Sequence, residues 1–562
     1  MKRIIYAALA CLTFASCEDF LDKQPIEQIG TDEYFKDEAS LEKYTNGFLN
    51  SYTPSSGDVT RGDGNCDIIE VKQTSSYLYQ PVWNSSLQGG WSNSTWNFVY
   101  YINTFLERMH EAQGVSEAAF AHYEGTARFW RAWNYFELVK TFGGVPWYDH
   151  VVRSDSEEDL YKPRDSREYV MERVLEDLNY ACEHCYTSEA WVDNQKINRY
   201  IALAIKSRIC LFEGTYRKYH RVDPSTGKAW DPEYNKDNKW LREAADACEE
   251  LMEAGVYSLV NSPADVATQY RSLFTSPSVL KQEVMWAREY NDEKNVRHDV
   301  TWYFTSGSMG QGWSLDADFV YTYLNRDGSR FTDRTDYKST TYAEQFENRD
   351  YRLMQSIRYP GYTRRNNNVN TPYAPDFGYC VTGYQPIKWV IDDTSMDSNT
   401  APCATCIPIL RYAEVLLNEA EAAARAGDKT LALEKLNQVR DRSLADPATQ
   451  TYKAGDFANT KALVEAILWE RRIEFQGEGR RWEDIHRLAA DDLLPSGGIP
   501  AKIEYNNVKN QGAFVVGGEV KAEWFGNSKQ FIPYTDKRFI WPIPLNDILR
   551  NPTLAAQQNA GW

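Results

Sequence analysis

Beyond residue 16 this chain has no apolar run approaching the roughly 18 residues that a membrane-spanning helix needs, which excludes a polytopic membrane protein. Positive charge is also short. With 62 Lys and Arg against 80 Asp and Glu, the net charge is −18. Nucleic-acid binding depends on concentrated Lys and Arg, so that class is excluded too. Only seven histidines occur in 562 residues, none at ligand spacing from another. His110-Glu111 is followed by Ala112, Gln113 and Gly114 rather than by a second histidine in zinc register, and no Gly-x-Ser-x-Gly elbow is present. Gly62-x-Gly64 leads to Asp67 where a nucleotide-binding loop would need a third glycine.

What the chain does have is aromatic surface. Phe, Trp and Tyr make up 14% of the residues, with 18 Trp and 37 Tyr, more than a core of this size requires. Rings with apolar faces and polar edges suit carbohydrate, which offers C–H faces for stacking and hydroxyls for hydrogen bonding. A composition of 42% hydrophobic and 25% charged residues, with a mean hydropathy of −0.60, fits a folded chain with a large core.

The first residues read as an export signal: Lys2 and Arg3, an apolar run from Ile4 to Phe14, then small Ala15 and Ser16. Phe14-Ala15-Ser16-Cys17 resembles a bacterial lipobox, which makes residues 1–16 a lipoprotein signal peptide and Cys17 the acylated first mature residue. The acyl chains would tether the protein without spanning the bilayer. Cys182-Glu-His-Cys185 and Cys403-Ala-Thr-Cys406 have the spacing of zinc or redox pairs. Neither sits on a short ribbon, so local disulfides or buried free thiols are the better readings.

Most of the chain carries helical spacing. Phe129, Ala132, Phe136 and Val139 share one face and stop at Gly143-Gly144. Val170, Val174, Leu178 and Ala181 repeat the step, as do Ile201, Ile205 and Ile209, and then Leu241, Ala244, Cys248 and Leu251. The run from Arg411 to Ala422 continues to Gly427-Asp428 and restarts over Leu431 to Val439, as in a tetratricopeptide-type helix pair. A last pattern, Leu463 to Ile485, predicts one helix containing Glu470-Arg471-Arg472-Ile473-Glu474-Phe475. Residues 53–97 and 263–408 lack a helical period and read as loop insertions, where binding chemistry is expected.

These pieces resemble the SusD/RagB family, the outer-membrane nutrient-binding lipoproteins of Bacteroidetes. The resemblance rests on Asp22, Pro25 and Tyr34-Phe35 near the lipid site, on Arg131-Ala132 with Phe142-Gly143-Gly144-Val145-Pro146, and on Arg411-Tyr412-Ala413-Glu414 with Glu419-Ala420-Glu421-Ala422. It rests also on Glu470-Arg471-Arg472-Ile473-Glu474-Phe475 continuing through Gly477-Glu478-Gly479-Arg480-Arg481-Trp482, and on the ending from Ile543 to Trp562, where Ala560 replaces the usual Pro and Trp562 the usual Tyr. It implies an all-α fold of four tetratricopeptide-like helix pairs: one SusD-like domain over 17–562, with helical scaffold at about 30–52, 95–260 and 408–490. The implied partners are an oligosaccharide or polysaccharide and a SusC-like TonB-dependent transporter. No catalysis and no cofactor are implied. A peptide-binding member of the same family is the alternative, with an exported α-helical glycoside hydrolase behind it.

Within the two loop stretches the candidate carbohydrate-binding residues are Trp83, Trp91, Trp96, Tyr77, Tyr79, Asp67 and Asn93 in the first, and Trp302, Tyr303 and Trp313 in the second. Trp83, Trp91, Trp302 and Trp313 are chosen because their sequence neighbours are mostly polar. Trp96 is ambiguous, since Trp96, Tyr100 and Phe105 or Leu106 follow a helical period and suggest packing. Glu470, Glu474 and Glu478 fall on one helical face, and with interleaved Arg they read as a structural charge network rather than an acid–base pair. The acidic loop from Asp58 to Glu70 lacks EF-hand spacing for a structural Ca²⁺. Arg61-Gly62-Asp63 inside it is a three-letter match to an integrin motif and carries no weight.

Overall fold

The computed structural model describes residues 35–66, 68–70, 91–187, 195–220, 222–306, 312–376, 379–380, 382–400, 402–444, 450–488 and 540–562. Cys17, the signal segment, Asp67, Tyr77, Tyr79 and Trp83 lie outside these residues. Ten helices form the frame: α1 Glu38–Tyr52, α2 Asn93–Arg108, α3 Glu117–Phe142, α4 Arg167–His184, α5 Arg199–Tyr219, α6 Lys239–Glu253, α7 Tyr412–Ala426, α8 Lys429–Asp441, α9 Thr460–Glu474 and α10 Arg481–Leu488. Each helix read from three- and four-residue spacing is present except the last, which is divided in two. Side-chain caps start several of them: Ser116 for α3, Ser166 for α4, Asn198 for α5 and Asp428 for α8.

Helices close in sequence pack on each other: α3 on α4, α5 on α6, α7 on α8 and α2 on α3. Ala and Gly at the crossings let backbones approach. Gly214 of α5 shows the limit, since a Cβ there would meet the Leu241 side chain at 3.0 Å. The core runs continuously through these pairs, with Trp130, Trp240 and Trp286 fully buried. Among the described residues no helix is long and apolar enough to cross a membrane.

Two expectations are corrected. The stretch Leu463 to Ile485 is not one helix: Gly477 and Gly479 adopt φ of 71° and 74°, and the chain turns between α9 and α10. Residues 263–408 also hold more regular structure than a loop. They contain short helices at Gln269–Thr275, Val300–Thr305, Ala317–Thr322 and Tyr351–Ser356. Strand β2 (Val284–Arg288) pairs antiparallel with β6 (Ile407–Arg411), β4 (Thr363–Asn366) with β5 (Val369–Pro372), and β1 (Ile69–Glu70) with β3 (Ser314–Leu315).

The charge network exists, but its partners differ from those expected. Glu474 of α9 is fully buried and accepts from Arg411 at 2.8 Å, from Arg352 at 2.9 Å and from Arg442. Glu478 lies in the turn and binds Arg411 and Lys388 at 2.7 and 2.6 Å. Burial would raise the Glu474 carboxyl, yet Arg442, Arg411 and Arg352 hold it well below the usual range. The neighbouring Arg471 instead reaches Asn418 and Asp484. Such a network fixes α9 against β6 and the 350–356 segment, because each charge left without its partner would be costly.

Candidate functional site

At the end of α3 the chain reverses at Gly143, with φ of 75°. Gly144 passes so close to the next segment that a Cβ would lie 2.2 Å from the Asp165 carbonyl oxygen. The extended run that follows alternates its side chains. Pro146, Tyr148, His150 and Val152 face an aromatic cleft of about 520 Å³, while Trp147 and Asp149 face a smaller polar cavity of about 340 Å³. Asn103 of α2 pins this wall by donating to the carbonyls of Tyr148 and His150 at 3.0 and 2.9 Å. Its own oxygen accepts from Arg131 at 3.1 Å, and Arg131 is gripped by Asp177 at 2.7 and 2.8 Å.

The cleft's second wall is the start of α2. Phe98, Val99, Ile102 and Phe105 turn inward, which leaves Trp96 half-buried and Tyr100 45% exposed along the cleft. Of the residues in that period, Phe105 is core, Trp96 both packs against the core and lines the cleft, and Tyr100 is exposed, so the packing and binding readings of Trp96 hold together. Trp91 is buried edge-on against Phe142, with ring centres 5.0 Å apart, and its indole meets Trp96 at 5.4 Å. Trp96 in turn stands 6.1 Å from Tyr148. The third wall comes from the C-terminus, through Asp547, Arg550, Asn551 and Leu554. Trp541 N–H donates to the Thr141 carbonyl at 2.7 Å, and Asn559 Nδ2 to that of Phe142 at 2.9 Å, which ties this tail to the end of α3.

The rim is polar and largely self-paired. Tyr148 donates its hydroxyl to the Asp159 carbonyl at 2.8 Å, and burial pushes the phenol up to about 12. His150 lies 3.0 Å from Asp149 and 3.1 Å from Asp159, and these hydrogen bonds raise its pKa. Ser156, then His150, hold the Asp159 carboxyl below its ordinary value. Lys162 is bound to the Trp147 carbonyl at 2.7 Å and to Asp165 at 3.0 Å. The arrangement can stack flat apolar faces and bond hydroxyls. Among the described residues no group of three or more His, Cys, Asp or Glu is placed to hold a metal ion.

The other candidates separate. Asn93 is exposed at the first turn of α2 but does not line the cleft. Trp302 and Tyr303 lie on the short helix Val300–Thr305, both half-buried and outside the cleft, with Arg61 covering one face of Tyr303 at 3.7 Å. Trp313 is corrected outright, being 3% exposed and packed on Phe304 at 5.1 Å, within the core. Cys182, Cys185, Cys403 and Cys406 are buried free thiols. Tyr100, Tyr148, His150, Tyr161 and the C-terminal wall were not anticipated. The alternating run after Gly144 was the available signal for Tyr148 and His150.

Two family models match: one described as the SusD family over residues 282–562, and one described as starch-binding and associating with the outer membrane over residues 19–211. SusD-like protein P25 of Formosa agariphila is 22% identical, over 86% of this chain and 89% of that protein. SusD-like protein P38 of the same organism is 23% identical, over 83% and 78%. A SusD-like protein of Bacteroides fragilis superposes with a TM-score of 0.69 at 22% identity, covering 96% of this chain and all of that one. A SusD-like carbohydrate binding protein of the same organism gives 0.63 at 19% identity, covering 93% and 99%. These superpositions establish the shared helical fold, and with the family match they show that the chain belongs to the SusD family.

Proposed function

We propose that this protein is a cell-surface glycan-binding lipoprotein, anchored through Cys17, that captures oligosaccharide and passes it to a TonB-dependent transporter without cleaving it. Membership of a family described as starch-binding and outer-membrane associated supports the glycan role. The observation that carries the reading in this chain is the cleft itself. Trp96, Tyr100 and Tyr148 line it with ring surface, and Asn97, His150, Asp159 and Lys162 supply polar groups along the same walls. Trp302 on the second stretch offers a further partly exposed ring.

The cationic groups on the rim have carboxylate neighbours, so binding should depend little on salt. Affinity electrophoresis against polysaccharides, with a peptide panel in parallel, tests the reading. Retardation by at least one polysaccharide with no new reducing ends is the expected result. Binding of peptides alone, or release of reducing ends, would overturn it.

A further inference from the structure

The tripeptide Arg61-Gly62-Asp63 has duties that the cleft does not use. Arg61 donates to Asp299 at 2.9 Å while stacking on Tyr303. Gly62 crosses the turn between α9 and α10 so closely that a Cβ would stand 2.8 Å from the Gly479 Cα. Asp63 is fully buried, and its carboxylate accepts the backbone N–H of Gly477 at 2.8 Å and of Arg481 at 3.1 Å. Immediately downstream, Ile69 and Glu70 pair with Leu315 and Ser314, and the Asp316 N–H donates to the Ile68 carbonyl at 3.0 Å. Residues 61–70 thus join two distant parts of the chain: the Asp63 carboxylate ties them to the 477–481 turn beside the charge network, and Arg61, Ile68 and strand β1 tie them to Asp299 and to residues 314–316, on either side of Trp302 and Tyr303.

We propose that Asp63 is a positioning residue for a second sugar-contacting surface outside the cleft, whose carboxylate fixes the 477–481 turn against residues 61–70 and so sets where Arg61, Trp302 and Tyr303 stand for a glycan that extends beyond the cleft. This inference rests on the glycan-binding reading. Its energetics fit a positional role better than a stabilising one. Burial pushes the Asp63 carboxyl up to about 6, against the pull of the N–H groups of Arg481, Gly477 and Gly479 and the charge of Arg480. A carboxyl raised in the fold costs stability at neutral pH, and that cost shrinks as pH falls through about 6. A neutral group of the same shape would avoid it, so what the acid contributes is two acceptor oxygens aimed at two backbone donors.

The test is Asp63→Asn in the full chain. The amide keeps one acceptor and turns its NH₂ toward the other donor, while removing the buried charge. Thermal unfolding is expected at or above the wild-type Tm. Hydrogen exchange over 61–70, 299–316 and 477–481 is expected to quicken about tenfold, with α3 to α5 unchanged. Affinity for the polysaccharide that retards wild type most, from a panel including soluble starch, xylan and pectin, is expected to fall about tenfold. Gly62→Ala, which forces the same crossing apart, should reproduce the exchange pattern. Unchanged exchange over 299–316, unchanged affinity despite faster exchange, or an Asp63→Asn chain that fails to fold would each overturn the proposal. If wild type binds no polysaccharide in the panel, the glycan reading fails instead, and exchange alone decides whether Asp63 holds these segments.

Discussion

Trp96→Ala is the sharpest perturbation of the cleft. The indole stands 5.4 Å from Trp91 and 6.1 Å from Tyr148, half-buried, with the rest of its surface on the cleft. Stacking one sugar face on such a ring removes roughly 50 Å² from water, worth about 1.2 kcal/mol at ~25 cal/mol per Å². Losing it should weaken glycan binding about eightfold. The same truncation loses two edge contacts worth ~0.5–1.5 kcal/mol each, so stability falls by roughly 1–3 kcal/mol. The two effects separate by comparison with Phe105→Ala, whose ring is fully buried on the inward face of the same helix. That change should cost ~3–5 kcal/mol of stability while leaving the affinity of folded molecules intact. Calorimetric titration of wild type and both variants, at a temperature where each is folded by circular dichroism, is the assay. If Trp96→Ala binds as tightly as wild type, or weakens binding no more than Phe105→Ala does, the cleft is not where the sugar stacks.

Glu474→Gln withdraws the charge that Arg352, Arg411 and Arg442 share, and should lower unfolding free energy in denaturant by about 3–5 kcal/mol; a loss below about 1 kcal/mol would remove the network from its role in fixing α9. Glu421, Glu474 and Glu483 all have depressed pKa values in the fold. Their contribution is complete above the ordinary glutamate range near 4.5 and drains away as pH falls toward the folded values, so the wild-type midpoint should drop steeply below about pH 4.5 and that of Glu474→Gln less so. Cys17→Ala should move the protein from the membrane fraction to the soluble one; membrane retention, with no lipid adduct on the wild-type N-terminal peptide, refutes the anchor. A pull-down in gentle detergent should recover a TonB-dependent barrel with this chain, and recovery of this chain alone across several detergents refutes the partnership.

How much of this was legible in the sequence follows from the range over which each feature is decided. α3, α5 and α7 were visible because amphipathic spacing is local, and α3 and α7 also because a terminating glycine is, as at Gly143 and Gly427. The break between α9 and α10 was hidden because the apolar period runs on through Phe475 to Ile485 while the positive φ of Gly477 and Gly479 turns the backbone. Trp91 and Trp313 show why polar sequence neighbours are a poor guide to exposure. Ser, Gly and Asn report local hydration, whereas burial is decided by Phe142 and Phe304, which lie elsewhere in the chain. Glu474 was recognisable as a network member, but Arg352 and Arg442 come from other elements, and no spacing within one helix can name them.

The cleft combines both cases. Its α2 wall lay inside a stretch already marked by aromatic residues, but its other walls depend on the chain reversal at Gly143-Gly144 and on a tail that returns to the end of α3. A cleft assembled from three segments this far apart is set by the packing of the scaffold that holds them. The ring types within it are open to exchange at modest cost, whereas Asn103, Arg131 and Asp177 beneath the wall form one buried network in which each member satisfies the others. A change of glycan preference should therefore be reached through Trp96, Tyr100 or Tyr148, and not through that triad.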